Sequence, residues 1–265
     1  MPNHFSAPSR RDILGSAVAC TATALLPGRA LAAVDAVSEA RAVNALELTT
    51  SKKTTAQVEK RRRGASPRQR TLEMAQLRQG DTDLSLRRYT FLSPADIDGT
   101  KLLIHETDGD ANDLWLLLPS GGRPRRISAS KLSNPFAGTD FSYADLMAIK
   151  VENFDHQITS STADTVVLES QAKTTTFAKE IGYARSVVTA LAGSFIPTEI
   201  AYFDRKGRQF KVQRLGDAVT APNGSHVLRS RVMTVLDTGH ETELQLGAVD
   251  FSSGLTTSDF SSRRL

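Results

Sequence analysis

The stretch SHVLRSRVMTVLDTGHETELQLGAV, residues 225–249, reads as two extended segments joined by a tight turn at Thr238-Gly239. Each half is the length of a strand and rich in Val, Leu, Met and Thr, the composition of a pleated, half-buried surface. Working upstream, Pro222-Asn223-Gly224 and Arg205-Lys206-Gly207 are further turns, and RQFKVQRL (208–215), PTEIAYFD (197–204), ARSVVTAL (184–191) and DTVVLESQ (164–171) are further strands.

The same period of two begins at residue 70. RTLEMAQLRQ (70–79) sets Leu72 and Met74 against Thr71, Glu73 and Ala75. TDLSLRRYTFL (82–92) puts Leu84, Leu86 and Arg88 on one face and Tyr89 and Phe91 on the other. A loop with Pro94 and Asp98-Gly99 follows. TKLLIHET and NDLWLLLP then form a hairpin around Asp108-Gly109-Asp110, and RRISAS is a short strand. Strands at this spacing predict an antiparallel meander, either a sandwich or a barrel-like sheet. No strand alternates with a long helix, which argues against a Rossmann-type or TIM-type domain. Leu114 through Leu118, and Val166-Val167-Leu168, are continuous apolar runs, so both faces of the sheet are expected to be covered there.

The N-terminal third departs from this pattern. Ser9-Arg10-Arg11-Asp12-Ile13-Leu14 is a twin-arginine pattern, followed by a weakly apolar run to Leu26 and an Ala30-Leu31-Ala32 cleavage site. Residues 1–32 therefore read as a cleavable signal peptide, of twin-arginine or ordinary Sec type, and residues 33–265 as one domain. Cys20, the sole cysteine, lies inside that segment, so the mature chain has no thiol for a disulfide, metal site or nucleophile. Cleavage removes Arg10, Arg11, Arg29 and Asp12, taking basic residues from 33 to 30, acidic ones from 29 to 28, and the net charge to +2. That balance, with export to the periplasm, argues against a nucleic-acid partner. Residues 34–47 carry Val34, Val37, Ala40, Val43 and Leu46 at spacings of three and predict a helix. The basic stretch 49–70, with Arg61-Arg62-Arg63, reads as a solvated loop or an edge strand.

Chemistry-bearing motifs are sparse. The chain has no Gly-x-Ser-x-Gly, His-Glu-x-x-His or Walker pattern. His105, His156, His226 and His240 fall in separate elements, without the local pairing that seeds a zinc site. The acids of GTDFSYADLM (138–147) have a structural reading. Ser142 and Asp145 stand at capping-box spacing, and Phe141 and Leu146 at that of a hydrophobic staple. No catalytic residue, metal or cofactor is expected.

FLSPADIDGTKLL, LWLLLPSGGRPRRIS, FAGTDFSYADL and the closing HETELQLGAVDFSSGLTTSDFSSRRL resemble, in order and spacing, the outer membrane lipoprotein-sorting proteins with a LolA-like fold. The resemblance spans roughly residues 70–265. Leu117 stands where that family commonly has Tyr, and Ala144 where it usually has Glu. It implies a mainly β (α+β) fold of the LolA/LolB type: an incomplete antiparallel barrel, strongly curved, with helices over its open mouth. It further implies a periplasmic carrier of lipids or lipidated proteins, in transient contact with membranes and in some relatives working beside an RND-type exporter. The rival readings are a non-catalytic exporter adaptor and, more remotely, an exported enzyme. On the carrier reading the apolar strand residues Leu84, Leu86, Leu103, Trp115, Leu117, Val167 and Phe203 are candidates to line the cavity, and Phe141, Tyr143 and Leu146 to close it. Arg123, Arg125 and Arg126 are candidates for contact with a lipid headgroup or an acidic partner.

Overall fold

The computed structural model describes residues 35–109, 111–148 and 150–265; the expected signal peptide lies outside them. The expected first helix forms as α1 (Ala36–Ala45), capped by Asp35, whose carboxylate accepts from the Val37 and Ser38 amides. Thirteen strands follow among the described residues. They are β1 (Ser51–Arg62), β2 (Ala65–Arg78), β3 (Ser85–Ser93), β4 (Lys101–His105), β5 (Asp113–Leu117), β6 (Arg125–Arg126), β7 (Phe154–Ser161), β8 (Thr165–Ala172), β9 (Arg185–Leu191), β10 (Pro197–Phe203), β11 (Gln209–Thr220), β12 (His226–Val235) and β13 (His240–Asp250). A second helix, α2 (Thr175–Ile181), joins β8 to β9.

All thirteen strands lie in one antiparallel, curved and unclosed sheet, in the order β6-β5-β4-β3-β2-β1-β13-β12-β11-β10-β9-β8-β7. Each strand pairs with its neighbour in sequence, with two exceptions. The first and last strands pair with each other in mid-sheet, as in Val58 opposite Leu244. The sheet edges, β6 and β7, are joined by the crossover of residues 127–153. The meander is therefore an incomplete barrel, as the strand pattern and the resemblance both implied.

The stretch 49–70 overturns its reading as a loop or edge strand. Most of it is β1 and the start of β2, and β1 lies centrally, between β2 and β13. Its inward positions are Lys52, Thr54, Ala56, Val58 and Lys60, all buried. Three of the five are polar, so hydropathy does not reveal the alternation.

The main core fills the concave face. Val58, Leu72, Tyr89, Phe91, Leu102, Ile104 and Leu114 meet Tyr202, Val227, Met233 and Leu244 from the opposite half of the sheet, with the crossover between them. Successive strand residues point to opposite faces, so Leu86, Leu103 and Trp115 face the convex side. There Phe260 covers them, with Leu255 and Leu265 beside it. The chain end is a pair of 3-10 turns, Thr257–Phe260 and Ser262–Arg264, and the first has a capping box between Thr256 and Asp259. Both faces of β5 are thus covered, the second by the C-terminal segment.

Candidate functional site

The crossover is the fold's unusual element, because it carries acids and aromatics into the concave face. Residues 142–146 form the expected cap. Ser142 donates from its amide and its hydroxyl to Asp145 Oδ2, each at 2.7 Å, and the Asp145 amide returns a bond to Ser142 Oγ at 3.4 Å. What it starts is one 3-10 turn, Ala144–Leu146, because Met147 is already extended. Phe141 and Leu146 are buried in the main core, and Phe136 packs on the rings of Tyr89, Phe91 and Tyr143.

Ion pairs fasten this segment to the sheet. Lys60 Nζ lies 2.7 Å from Asp140 Oδ1, and also donates to the Gly138 carbonyl at 3.0 Å. Lys211 Nζ lies 2.7 Å from Asp145 Oδ2. Tyr89 donates to the Leu146 carbonyl at 3.0 Å, and Glu106 accepts from the Ala148 amide at 3.0 Å. The two carboxylates of this segment, Asp140 and Asp145, are thus each held by a buried lysine.

Beside this plug the concave face is charged. Glu47, just past α1, accepts from the Leu228 amide at 2.9 Å, pairs with Arg231 and stands 3.9 Å from Lys52. Arg87 reaches Glu106 at 3.0 Å. Burial alone would raise the Glu47 carboxyl, but Arg231 and Lys52 overcome it and hold the group at about 2. Burial lowers Lys52 to about 8, against the pull of Glu47. Glu47, Lys52, Arg87 and Arg231 line a cavity of about 50 Å3, whose other walls are Gln76, Gln213, Tyr89 and Asp145 and the apolar Met74, Phe141, Leu146 and Leu244.

The apolar space lies elsewhere, beneath α1. A groove of about 110 Å3 runs between Val43 on the helix and Phe154, Leu168, Val188 and Ile200 on the sheet. A surface cleft of about 310 Å3 adjoins it across Asn44 and Val151, and Leu84 lines that cleft. Ala40 is the buried contact of α1, set against Val151, Leu168 and Val188.

The structure sorts the expected lining residues by face. Phe141 and Leu146 are inside, with Tyr143 packed half-buried against the same core. Leu84 reaches only the surface cleft. The expectation that Leu86, Leu103 and Trp115 line the interior is corrected: they lie on the convex face with Phe260, because the inward parity belongs to Tyr89, Phe91, Leu102, Ile104 and Leu114. Leu117 shares the Trp115 face by alternation. Val167 likewise alternates with buried Val166 and Leu168, and Phe203 lies under the Arg185 guanidinium, 3.7 Å from the ring centre. Neither lines the groove, whose wall is Leu168, Val188 and Ile200. Arg123 and Arg125 are exposed, and Arg126 is tied to Asp113. The charged cluster was not foreseen, because its members are scattered over strands that meet only in the folded sheet.

Three solved structures share this architecture. A Vibrio parahaemolyticus domain whose name assigns it to outer membrane lipoprotein sorting is 25% identical, over 86% of this chain and 96% of its own, with a TM-score of 0.77. A DUF1329 family protein from Desulfovibrio piger (21% identity, 88% of this chain and 100% of its own) also has a TM-score of 0.77. For a LolA superfamily protein from Nitrosomonas europaea the values are 18%, 88%, 100% and 0.67. No curated protein matches the sequence. Residues 86–265 match a family described as "Uncharacterized protein". The chain belongs to that family, and its structural neighbours are LolA-like, lipoprotein-sorting-type proteins whose fold it shares. In this LolA-like chain the half-barrel is covered by α1 and the crossover, and no helix of the described residues is long and apolar enough to cross a membrane.

Proposed function

We propose that this protein is a non-catalytic periplasmic carrier that takes up the acyl chain of a lipid or lipidated protein beneath α1 and helps move it toward the outer membrane. The observation that carries this reading is the unequal hold on the two elements covering the concave face. The crossover is tied down by Lys60–Asp140 and Lys211–Asp145, both buried, and breaking such a pair costs about 3–5 kcal/mol. The helix packs through the small Ala40, with half-buried Ala36 and Val43 beside it, and its ion pair, Arg41–Glu152, is exposed and worth at most about 1 kcal/mol. So α1 lifts far more readily than the crossover. Lifting it uncovers Leu168, Val188 and Ile200 and merges the groove with the cleft.

The energetics suit such a task. Each buried methylene contributes about 0.8 kcal/mol, so a long acyl chain needs a dry wall of this kind to leave a membrane. Protein purified without detergent should carry lipid visible by native mass spectrometry. It should also bind a fluorescent fatty acid, with affinity reduced at least tenfold in Ile200→Trp, which fills the groove. Lipid-free protein that ignores the probe ends the carrier reading.

One observation favours the adaptor reading: side chains of the crossover, Phe136, Phe141 and Leu146, fill much of the concave face. A packed interior that never opens would serve a docking protein. The exporter partner implied by the resemblance has no further support in the fold.

A further inference from the structure

We propose that the cavity beside Glu47, charged on one wall and apolar on the other (Met74, Phe141, Leu146 and Leu244), is an anion-binding site, built to take one carboxylate- or phosphate-sized group. It is distinct from the apolar groove and does not depend on acyl binding. Three cations, Lys52, Arg87 and Arg231, and two carboxylates, Glu47 and Asp145, line it; behind them Glu106 pairs with Arg87 and Lys211 with Asp145, four cations and three carboxylates in all. The cluster therefore holds one positive charge in excess.

That excess falls on Lys52. Lys211 is held by both oxygens of Asp145, at 2.8 and 2.7 Å. Arg87 has Glu106 and the Ser85 hydroxyl at 3.0 Å, and Arg231 has Glu47. Lys52, its side chain only 7% exposed, has just the far oxygen of Glu47 at 3.9 Å and makes no hydrogen bond among the described residues. A buried ammonium without close partners is costly. Arg87 and Arg231 stand near enough to help lower its proton affinity. An anion in the cavity would meet all three cations and relieve that repulsion, as clustered Arg and Lys do for carboxylates and phosphates. The space, about 50 Å3, has room for roughly three or four water-sized groups. That is enough for an anionic head and too little for a chain.

The test is calorimetric titration of the full chain with inorganic phosphate and with dodecyl phosphate below its micellar concentration. One phosphate should bind per chain. Lys52→Met should weaken it at least tenfold, and Arg63→Gln, on the exposed turn between β1 and β2, should leave it unchanged. Dodecyl phosphate binding tenfold tighter than phosphate assigns the site to a lipid headgroup; equal affinities assign it to a free anion. Should Lys52→Met not fold, sulfate, whose charge is constant, reports on the wild type. Its affinity should fall about tenfold between pH 7.5 and 9.5 as Lys52 loses its proton. The neighbouring Tyr89 phenol is raised by burial and stays neutral; the charged groups facing Lys52 are Glu47, Glu106, Asp145, Arg87, Arg231 and Lys211. No binding of either phosphate, equal binding by Lys52→Met, or a sulfate affinity flat with pH overturns the proposal.

Discussion

Lys211 on β11 and Asp145 on the crossover are 66 residues apart in sequence, and their side chains meet at 2.7 Å with almost no exposure to water. The contact joins the plug to the half of the sheet that follows it. Removing one partner leaves the other charge buried. Lys211→Met and Asp145→Asn should each cost about 3–5 kcal/mol in equilibrium urea unfolding. The double variant should cost less than the sum, by about 1–3 kcal/mol. Simple additivity would show that the pair is not coupled.

Acid should act through Glu47. Its folded-state value, about 2, lies below the ordinary 4.5, so it contributes stability that is complete above pH 4.5 and is lost as the pH falls toward 2. The shift corresponds to something on the order of 3 kcal/mol. Glu47→Gln should flatten that part of a stability–pH profile measured by urea midpoints. A wild-type profile with no loss between pH 4.5 and 2 would show that Arg231 does not hold the carboxylate.

Gly182 ends α2 with φ +90, and a Cβ added there would sit 2.8 Å from Ser133 Cβ on the crossover. Gly182→Ala meets both a backbone and a packing cost, together about 1–3 kcal/mol. Adding Ser133→Gly should recover the packing part and leave the backbone part. Thermal denaturation of the two variants separates the terms.

Trp115 is the sole tryptophan, and it reports on the convex face because it packs in one cluster with Phe260 and Leu103. Phe260→Ala should cost about 3–5 kcal/mol and shift tryptophan emission to the red as the C-terminal segment loosens. Phe141→Ala, on the opposite face, should destabilise without moving the emission of the folded protein.

The strands from residue 70 onward were legible because their apolar residues alternate, and the capping spacing of Ser142 and Asp145 was legible for the same local reason. β1 was not, since Lys52, Thr54 and Lys60 occupy inward positions that a hydropathy pattern assigns to water. β7 has only Phe154 and Ile158 to mark its inner face, and α2 is a seven-residue helix too short to show a period. The choice of face failed at Leu102-Leu103-Ile104. All three are fully buried, the middle one by a C-terminal segment more than 150 residues away. Alternation tells which residues share a face; which face is inside depends on partners from elsewhere in the chain. The charged cluster is the extreme case, because its members come from β1, β3, β11, β12, the crossover and the segments after α1 and β4.

The sheet order carries a mechanical consequence. Since β1 and β13 pair in mid-sheet, both free edges belong to the middle of the chain, and residues 127–153 span the gap between them as a string spans a bow. The string sets how far the limbs can spread: the two edges cannot part beyond its length without tearing Asp140 and Asp145 from their lysines. A single backbone cut in the string would let the curvature relax while leaving every strand pairing in place.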